Sequence, residues 1–210
     1  LRYASLFFSL TFSQTACIFY IFFRLLSMIF NAFFSLFLFD YFLYSLYNTG
    51  MQYYSYLSSC GSLRASFDGD FLCGVDFKGF TADYKPLSAA DFNAAKLTAL
   101  WFDEYFSGKI PDFLPPIKYN GTEFQKIVWD ELLKIPYGKT VSYGELARIV
   151  ALKRGKTKMS AQAIGGAVGN NHICIIVPCH RVIGKDGSLV GYGEGIDKKI
   201  WLLRFEGVLR

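Results

Sequence analysis

Histidine is nearly absent from this 210-residue chain, which has only His172 and His180. No CxxC pair occurs, so the sequence offers no zinc site. Five cysteines, an odd number at irregular spacing, argue against a disulfide framework and point to a reducing compartment. Charge is scarce too. The formal balance of +5 is mildly basic, which suits a polyanionic partner without requiring one. Residues 1–50 carry only Arg2, Arg24 and Asp40 as charged groups, yet hold 12 of the 22 phenylalanines. Residues 16–39 are long and apolar enough to span a bilayer, with Arg24 as the one costly group. A signal peptide fits less well, because the apolar run is too long and no small-residue cleavage site is evident. Methionine is missing from position 1, and the wealth of Phe, Leu, Ile, Tyr, Ser and Asn is what translated AT-rich non-coding DNA gives. Residues 1–50 are therefore read as an extended reading frame, with a membrane anchor as the alternative, and Met51 as the start.

After Met51 the chain has room for one or two small domains. Residues 53–80 alternate short apolar runs with Gly and Asp, and Asp68-Gly69-Asp70 between two such runs predicts a hairpin in a small antiparallel sheet. Helical spacing follows over Ser88 to Phe106, with Ser88 and Asp91 suited to a capping box. The proline-rich stretch Gly108 to Pro116 reads as a connector. Beyond it, Phe124, Val128, Trp129, Leu132 and Leu133 have helical spacing, ended by Pro136-Tyr137-Gly138. Two short helices, Gly144 to Val150 and Ser160 to Gly169, flank a basic loop and read as a helix-turn-helix. The second is rich in small residues, and each glycine costs about 1 kcal/mol of helix stability against alanine. Two readings stay open for Ala161, Ala163, Gly165 and Ala167: tight packing inside the fold, or close approach of the helix to DNA. Lys153, Arg154, Lys156 and Lys158 likewise form either a solvated turn or a phosphate-binding one.

The most informative segment is Pro178-Cys179-His180-Arg181. Ile173 to Val177 is β-branched apart from Cys174 and reads as a buried strand that Pro178 stops, leaving Cys179 at a rigid turn. The thiolate is the nucleophile of cysteine chemistry, and basic neighbours raise its fraction. Cys174 reads as a small buried hydrophobe. No oxyanion-hole motif of a cysteine hydrolase is recognisable.

These four residues, with Gly165 to Asn171 before them and Gly191-Tyr192-Gly193 after, resemble the O6-alkylguanine-DNA alkyltransferases. So do Ser142 to Ala147 and Trp201 to Gly207. The resemblance is close over residues 119–210 and loose over 51–118. It implies an α+β protein, with a small ribonuclease-H-like domain over 51–117 and a helical, winged-helix-like helix-turn-helix domain over 118–210 that binds DNA and carries the chemistry. It further implies a cofactor-free monomer that acts once on double-stranded DNA containing O6-alkylguanine, with O4-alkylthymine a further substrate, and needs no obligate protein partner. The implied compartment is cytoplasmic or nuclear, and a membrane only if residues 1–50 are expressed.

Roles follow by matching motif. Cys179 accepts the alkyl group, His180 acts through a water as its base, Glu206 orients His180, and Asn171 braces the turn. Tyr143 donates to the guanine ring. Tyr192, Gly193, Lys199 and Val182 contact the base and its leaving oxygen. Ala161, Gln162, Gly165, Arg181 and Lys158 face DNA. Two departures stand out. Gln162 occupies a position where the family often has an arginine that fills the stack left by a flipped base, and the basic loop before it is longer than in the shortest members. The zinc ligands of some members have no counterpart. A non-catalytic relative or a methyl-sensing regulator is the alternative, and Cys179 argues against the former.

Overall fold

Asp68-Gly69-Asp70 does form a turn, with Gly69 at φ 56°, a left-handed conformation that glycine adopts without steric cost. The computed structural model describes residues 51–78 and 93–210. Strands β1 (Gln52–Ser58), β2 (Gly61–Asp68) and β3 (Phe71–Asp76) make an antiparallel meander in that order. Alternation along β2 buries Leu63, Ala65 and Phe67 on one face. Phe67 pairs with Leu72 and Ser66 with Gly74, so the register shifts there, and the bulge lets both Leu72 and Val75 point into the core. Helix α1 (Asn93–Phe106) covers this face with Ala94, Ala95, Thr98, Trp101, Phe102 and Tyr105, and Asp70 accepts from the Ala94 amide at its start. The Ser88–Asp91 capping box and the apolar run of residues 1–50 lie outside the described residues.

The outer edge of β3 does not stay open. Leu72 exchanges hydrogen bonds with Pro116 and Lys118 (2.7 and 2.9 Å), and Val75 with His172 and Cys174 (2.7 and 3.1 Å). Two segments from the second half of the chain are thus tied to the sheet, which blunts the edge. One of them leads directly into the Cys179 turn. Helix α2 (Glu123–Leu132) starts with a Thr122–Gln125 capping box. Strand β4 (Val141–Ser142) precedes α3 (Tyr143–Lys153), which opens with a second capping box, Ser142 with Glu145. Helix α4 (Ala161–Gly169) is capped by Ser160. A 3-10 turn, Cys179–Arg181, runs into β5 (Val182–Ile183), which pairs in parallel with β4. Helix α5 (Ile196–Phe205) ends at Glu206. Residues 51–210 form one compact unit of mixed helix and sheet. Among the described residues, no helix is long and apolar enough to cross a membrane.

One expectation is corrected. Ile173 to Val177 is buried but is not a strand. Its backbone turns tightly, with Ile176 donating to Cys174 and Val177 to Ile173, and Ile175 sits at φ 69°. The β-branched composition fits a buried run, but the segment bridges Val75 only once before it turns. Of the small residues of α4 for which two readings stayed open, Ala167 is buried, Gly165 is half-buried, and Ala161 and Ala163 are exposed.

Helix α4 is held by Trp129, whose indole Nε1–H donates to the Ala167 carbonyl at 2.9 Å. That carbonyl lies in the last turn, where helices leave acceptors unsatisfied. Trp129→Phe removes the donor and some packing. We expect it to lower unfolding free energy by about 1–3 kcal/mol, read as an earlier urea midpoint at unchanged slope. An unmoved midpoint contradicts this anchoring.

Candidate functional site

Asn171 organises the turn that carries Cys179. Its Oδ1 accepts from the Ile173 amide (3.1 Å), while its Nδ2 donates to the Val177 carbonyl (2.9 Å) and to Cys179 Sγ (3.0 Å). One amide side chain therefore replaces the backbone partners that a strand would have supplied. Ile175, β-branched and wholly buried, holds a left-handed backbone conformation here, which costs energy and persists because the surroundings dictate it. Cys179 itself is 6 % exposed. Burial pushes its thiol up to about 11, although the Asn171 hydrogen bond and the Lys199 charge pull the other way. The expected gain in thiolate from basic neighbours is thus outweighed by desolvation. The resting group is a protonated thiol, and a base must take its proton.

A candidate for that base is adjacent in sequence. His180 is fully buried, and its Nε2 lies 2.8 Å from Glu206 Oε1. Arg181 grips the same carboxylate through Nε to Oε2 (2.9 Å) and Nη2 to Oε1 (2.9 Å), and it donates Nη1 to the Ile135 carbonyl (2.7 Å). Burial alone would raise the Glu206 carboxyl. Hydrogen bonds and charge from His180 and Arg181 override it and hold the group down to about 2. An ionised carboxylate only accepts hydrogen bonds, so His180 must carry its proton on Nε2. Nδ1 then presents a free lone pair, and it is buried with no hydrogen-bond partner. Desolvation lowers the pKa of His180 despite Glu206, so the imidazole is neutral near pH 7 and fit to accept a proton.

Lys199 is also buried, and its ammonium donates to the carbonyls of Val182 (2.6 Å), Val190 (3.2 Å) and Gly191 (3.4 Å). Burial draws it down to about 8, against the pull of Cys179. Tyr143 donates its hydroxyl to the same Val190 carbonyl at 3.1 Å. Lys199 and Tyr143 therefore converge on the loop that contains Tyr192 and Gly193. The Tyr192 hydroxyl is buried beside the Cys174 thiol, and Gly193 is exposed. Glu194 ties this loop to the end of β3 by accepting from the Phe77 amide at 3.0 Å, and Lys198 in the first turn of α5 binds the β1–β2 turn through the Cys60 carbonyl.

Around α3 and α4, Ala161, Gln162 and Lys158 are exposed and Gly165 is half-buried against the Tyr143 ring. A β-carbon on Gly166 or Gly169 would meet no protein atom within 4 Å, so internal packing does not demand glycine there. The basic loop divides: Lys153 pairs with Glu131, and the Arg154 guanidinium lies 5.2 Å from the Phe124 ring centre, while Lys156 and Lys158 are exposed. Arg181 was expected on the DNA side. It faces inward instead, 8 % exposed, because a buried carboxylate and a carbonyl satisfy its fork.

A cavity of about 430 Å³ lies behind the turn, walled by Trp101, Tyr105, Tyr137, Pro178 and Arg181 among others; Cys179 does not line it. Among the described residues, no group of three or more His, Cys, Asp or Glu is arranged to hold a metal. The sequence reading missed three contributors: Ile175, the Ile135 carbonyl and Tyr105, whose hydroxyl donates to Glu206 Oε1 at 2.8 Å. None carried a signal, since each reads as an ordinary apolar or aromatic core residue.

Residues 123–208 match the family described as 6-O-methylguanine DNA methyltransferase, DNA binding domain. A methylated-DNA–protein-cysteine methyltransferase of Haemophilus influenzae is 36 % identical over 163 residues, which is 76 % of this chain and 88 % of that protein. One from Mycobacterium leprae is 49 % identical over 104 residues, covering 50 % of this chain and 60 % of the relative. The crystal structure of Mycobacterium tuberculosis OGT in complex with DNA superposes with a TM-score of 0.63 at 37 % identity, covering 74 % of this chain and 92 % of that one.

The buried Glu206 gives the site a pH signature. Its folded pKa lies below the ordinary 4.5, so its stabilisation is complete above 4.5 and is lost as pH falls through about 2. The difference corresponds to about 3 kcal/mol. We expect Glu206→Gln to be less stable than the parent by about that order at pH 7, with the gap closing between pH 4.5 and 2. Denaturant titrations across this range read it, and a pH-independent gap contradicts it.

Proposed function

Because the chain belongs to the methylated-DNA–protein-cysteine methyltransferase family, we propose that it repairs DNA by moving an alkyl group from O6 of guanine onto Cys179. The observation that carries this reading is the Cys179 thiol, hydrogen-bonded to Asn171 and followed directly by a buried, neutral His180 oriented by Glu206. His180 Nδ1 takes the thiol proton through a water. The thiolate attacks the alkyl carbon, a sulfur–carbon bond forms and the carbon–oxygen bond breaks. The carbon–oxygen electron pair stays with the guanine, whose ring N1 takes up the proton the thiol lost, so that O6 becomes a carbonyl and His180 is neutral again. The thioether is stable, so each chain acts once. A thiol of high pKa suits this task, because nucleophilicity rises with pKa once the proton is removed.

Cys179 is too buried to meet a base that stays stacked in the duplex. The nucleotide must flip out, at a cost of a few kcal/mol. In our reading, Tyr143 steers the displaced backbone and donates to the guanine ring once freed from Val190. Tyr192 and the Gly193 amide close over the base. Lys199, with its lowered pKa, lies beside the Val182 carbonyl, where it assists the departing O6. Helix α4 approaches the groove through Ala161, Gln162 and Gly165, and Lys158 contacts phosphate. We reassign Arg181 from DNA to holding Glu206. We also read residues 51–117 as a ribonuclease-H-like domain and 118–210 as a winged-helix-like DNA-binding one. Supporting this division are the meander with its covering helix and the α3–α4 pair.

Two experiments test the reading. Cys179→Ala is expected to abolish transfer from O6-methylguanine DNA while DNA affinity, which comes mainly from phosphate contacts, stays within about twofold. Retained transfer sinks the assignment. Gln162→Arg is expected to speed transfer from duplex DNA more than from a single strand, because an arginine supports only a step in which a base leaves the stack. Equal acceleration of both substrates means that Gln162 is not at the intercalating position.

A further inference from the structure

Glu206 Oε1 is crowded. It receives His180 Nε2 (2.8 Å), Arg181 Nη2 (2.9 Å) and the Tyr105 hydroxyl (2.8 Å), whereas Oε2 receives Arg181 Nε (2.9 Å) and the Gly138 amide (3.4 Å). Tyr105 comes from α1, 101 residues away, in the part of the chain that the sequence reading credits with no chemistry. The tyrosine is fully buried, and its ring stacks on Trp101 with centroids 5.1 Å apart and planes at 12°. Nothing about core packing requires a hydroxyl there. Its one hydrogen bond goes to the oxygen that faces His180.

We propose that Tyr105 is a positioning residue for the transfer reaction: by sharing Glu206 Oε1 with His180, it limits how strongly the carboxylate stabilises a protonated His180. A carboxylate oxygen that already accepts other donors offers less negative charge to the next one, so each added donor weakens the pull on the imidazole proton. Arg181 neutralises most of the carboxylate, and Tyr105 trims the remainder at the very atom that His180 contacts. This keeps Nδ1 available as a lone pair at neutral pH. The groups facing His180 are Glu206 and Lys199, at the end of and within α5, and Arg181 on the 3-10 turn; Tyr105 faces Glu206 from α1, and Tyr137 faces Tyr105 and Glu206 from the loop after α2. Tyr105 is the one of these that binds Glu206 through a neutral hydroxyl, so its donor can be deleted without changing any charge.

The inference rests on His180 acting as the base for Cys179, and the test separates the two. Because His172 is the only other histidine, the imidazole resonances of the full chain and of a His172→Gln background are readily assigned. Tyr105→Phe preserves the ring stack and deletes the donor, while Trp101→Phe disturbs the stack and keeps the donor. We expect Tyr105→Phe to raise the His180 titration midpoint by about half a pH unit and to move the acid limb of the single-turnover rate profile upward equally. Trp101→Phe is expected to leave both in place. An unshifted midpoint in Tyr105→Phe, or equal shifts in the two variants, overturns the proposal. If the parent transfers no alkyl group, the proposed function fails, while the His180 midpoint still decides whether Tyr105 tunes the imidazole.

Discussion

One buried carboxylate carries the organisation of this site. Glu206 sits at the end of α5 with its side chain wholly enclosed, and an uncompensated charge there would be prohibitively costly. The fold answers with four donor groups from three places: His180 and Arg181 on the 3-10 turn, Tyr105 on α1, and the Gly138 amide after α2. Each of these segments is thereby tied to the others. The amide can approach because Gly138 adopts φ 70°. The same bonds that neutralise the charge also set the tautomer of His180. Stability and the state of His180 are therefore linked through one group: whatever loosens Glu206 also changes the imidazole beside it.

The second constraint is the edge of β3. An open strand edge invites unwanted pairing, and here two later segments occupy it, the second being His172 to Cys174. From there the chain turns through the left-handed Ile175 and is locked by Asn171, so Cys179 emerges from a turn fixed at both ends. The loop of Tyr192 and Gly193 is fixed to the end of β3 through Glu194, and Lys198 in the first turn of α5 binds the β1–β2 turn at Cys60. The sheet supplies none of Cys179, His180 and Glu206, yet it anchors the Cys179 turn and this loop together. That suits a reaction needing a sulfur aligned with a carbon–oxygen bond, since alignment supplies much of the rate in such transfers.

Much of this could be read from the residues. Alternation along β2, the Asp-Gly turn and the helical spacing around Trp129 reflect local physics, and local physics is written in short windows. Cys179 and His180 were legible because they are neighbours. Glu206 lies 26 residues from His180, so only the likeness of its motif to a known family marked it. Two readings went astray for physical reasons. Ile173 to Val177 has strand composition, but a side-chain amide supplies its hydrogen bonds and a turn results. Arg181 carries a charge, and charges usually face water, yet here it balances a buried partner. Tyr105 was invisible for the opposite reason: an aromatic on an amphipathic helix looks like core, and nothing local reveals where its hydroxyl ends.

The central claim is that Cys179 accepts one alkyl group, irreversibly. The most direct measurement is the intact mass of the protein after incubation with excess duplex DNA containing O6-methylguanine, followed by peptide mapping. The account expects a mass gain of a single methyl per chain, located on Cys179, with repair ceasing when every chain is modified. Continued repair beyond one equivalent, or a methyl on any other residue, contradicts it.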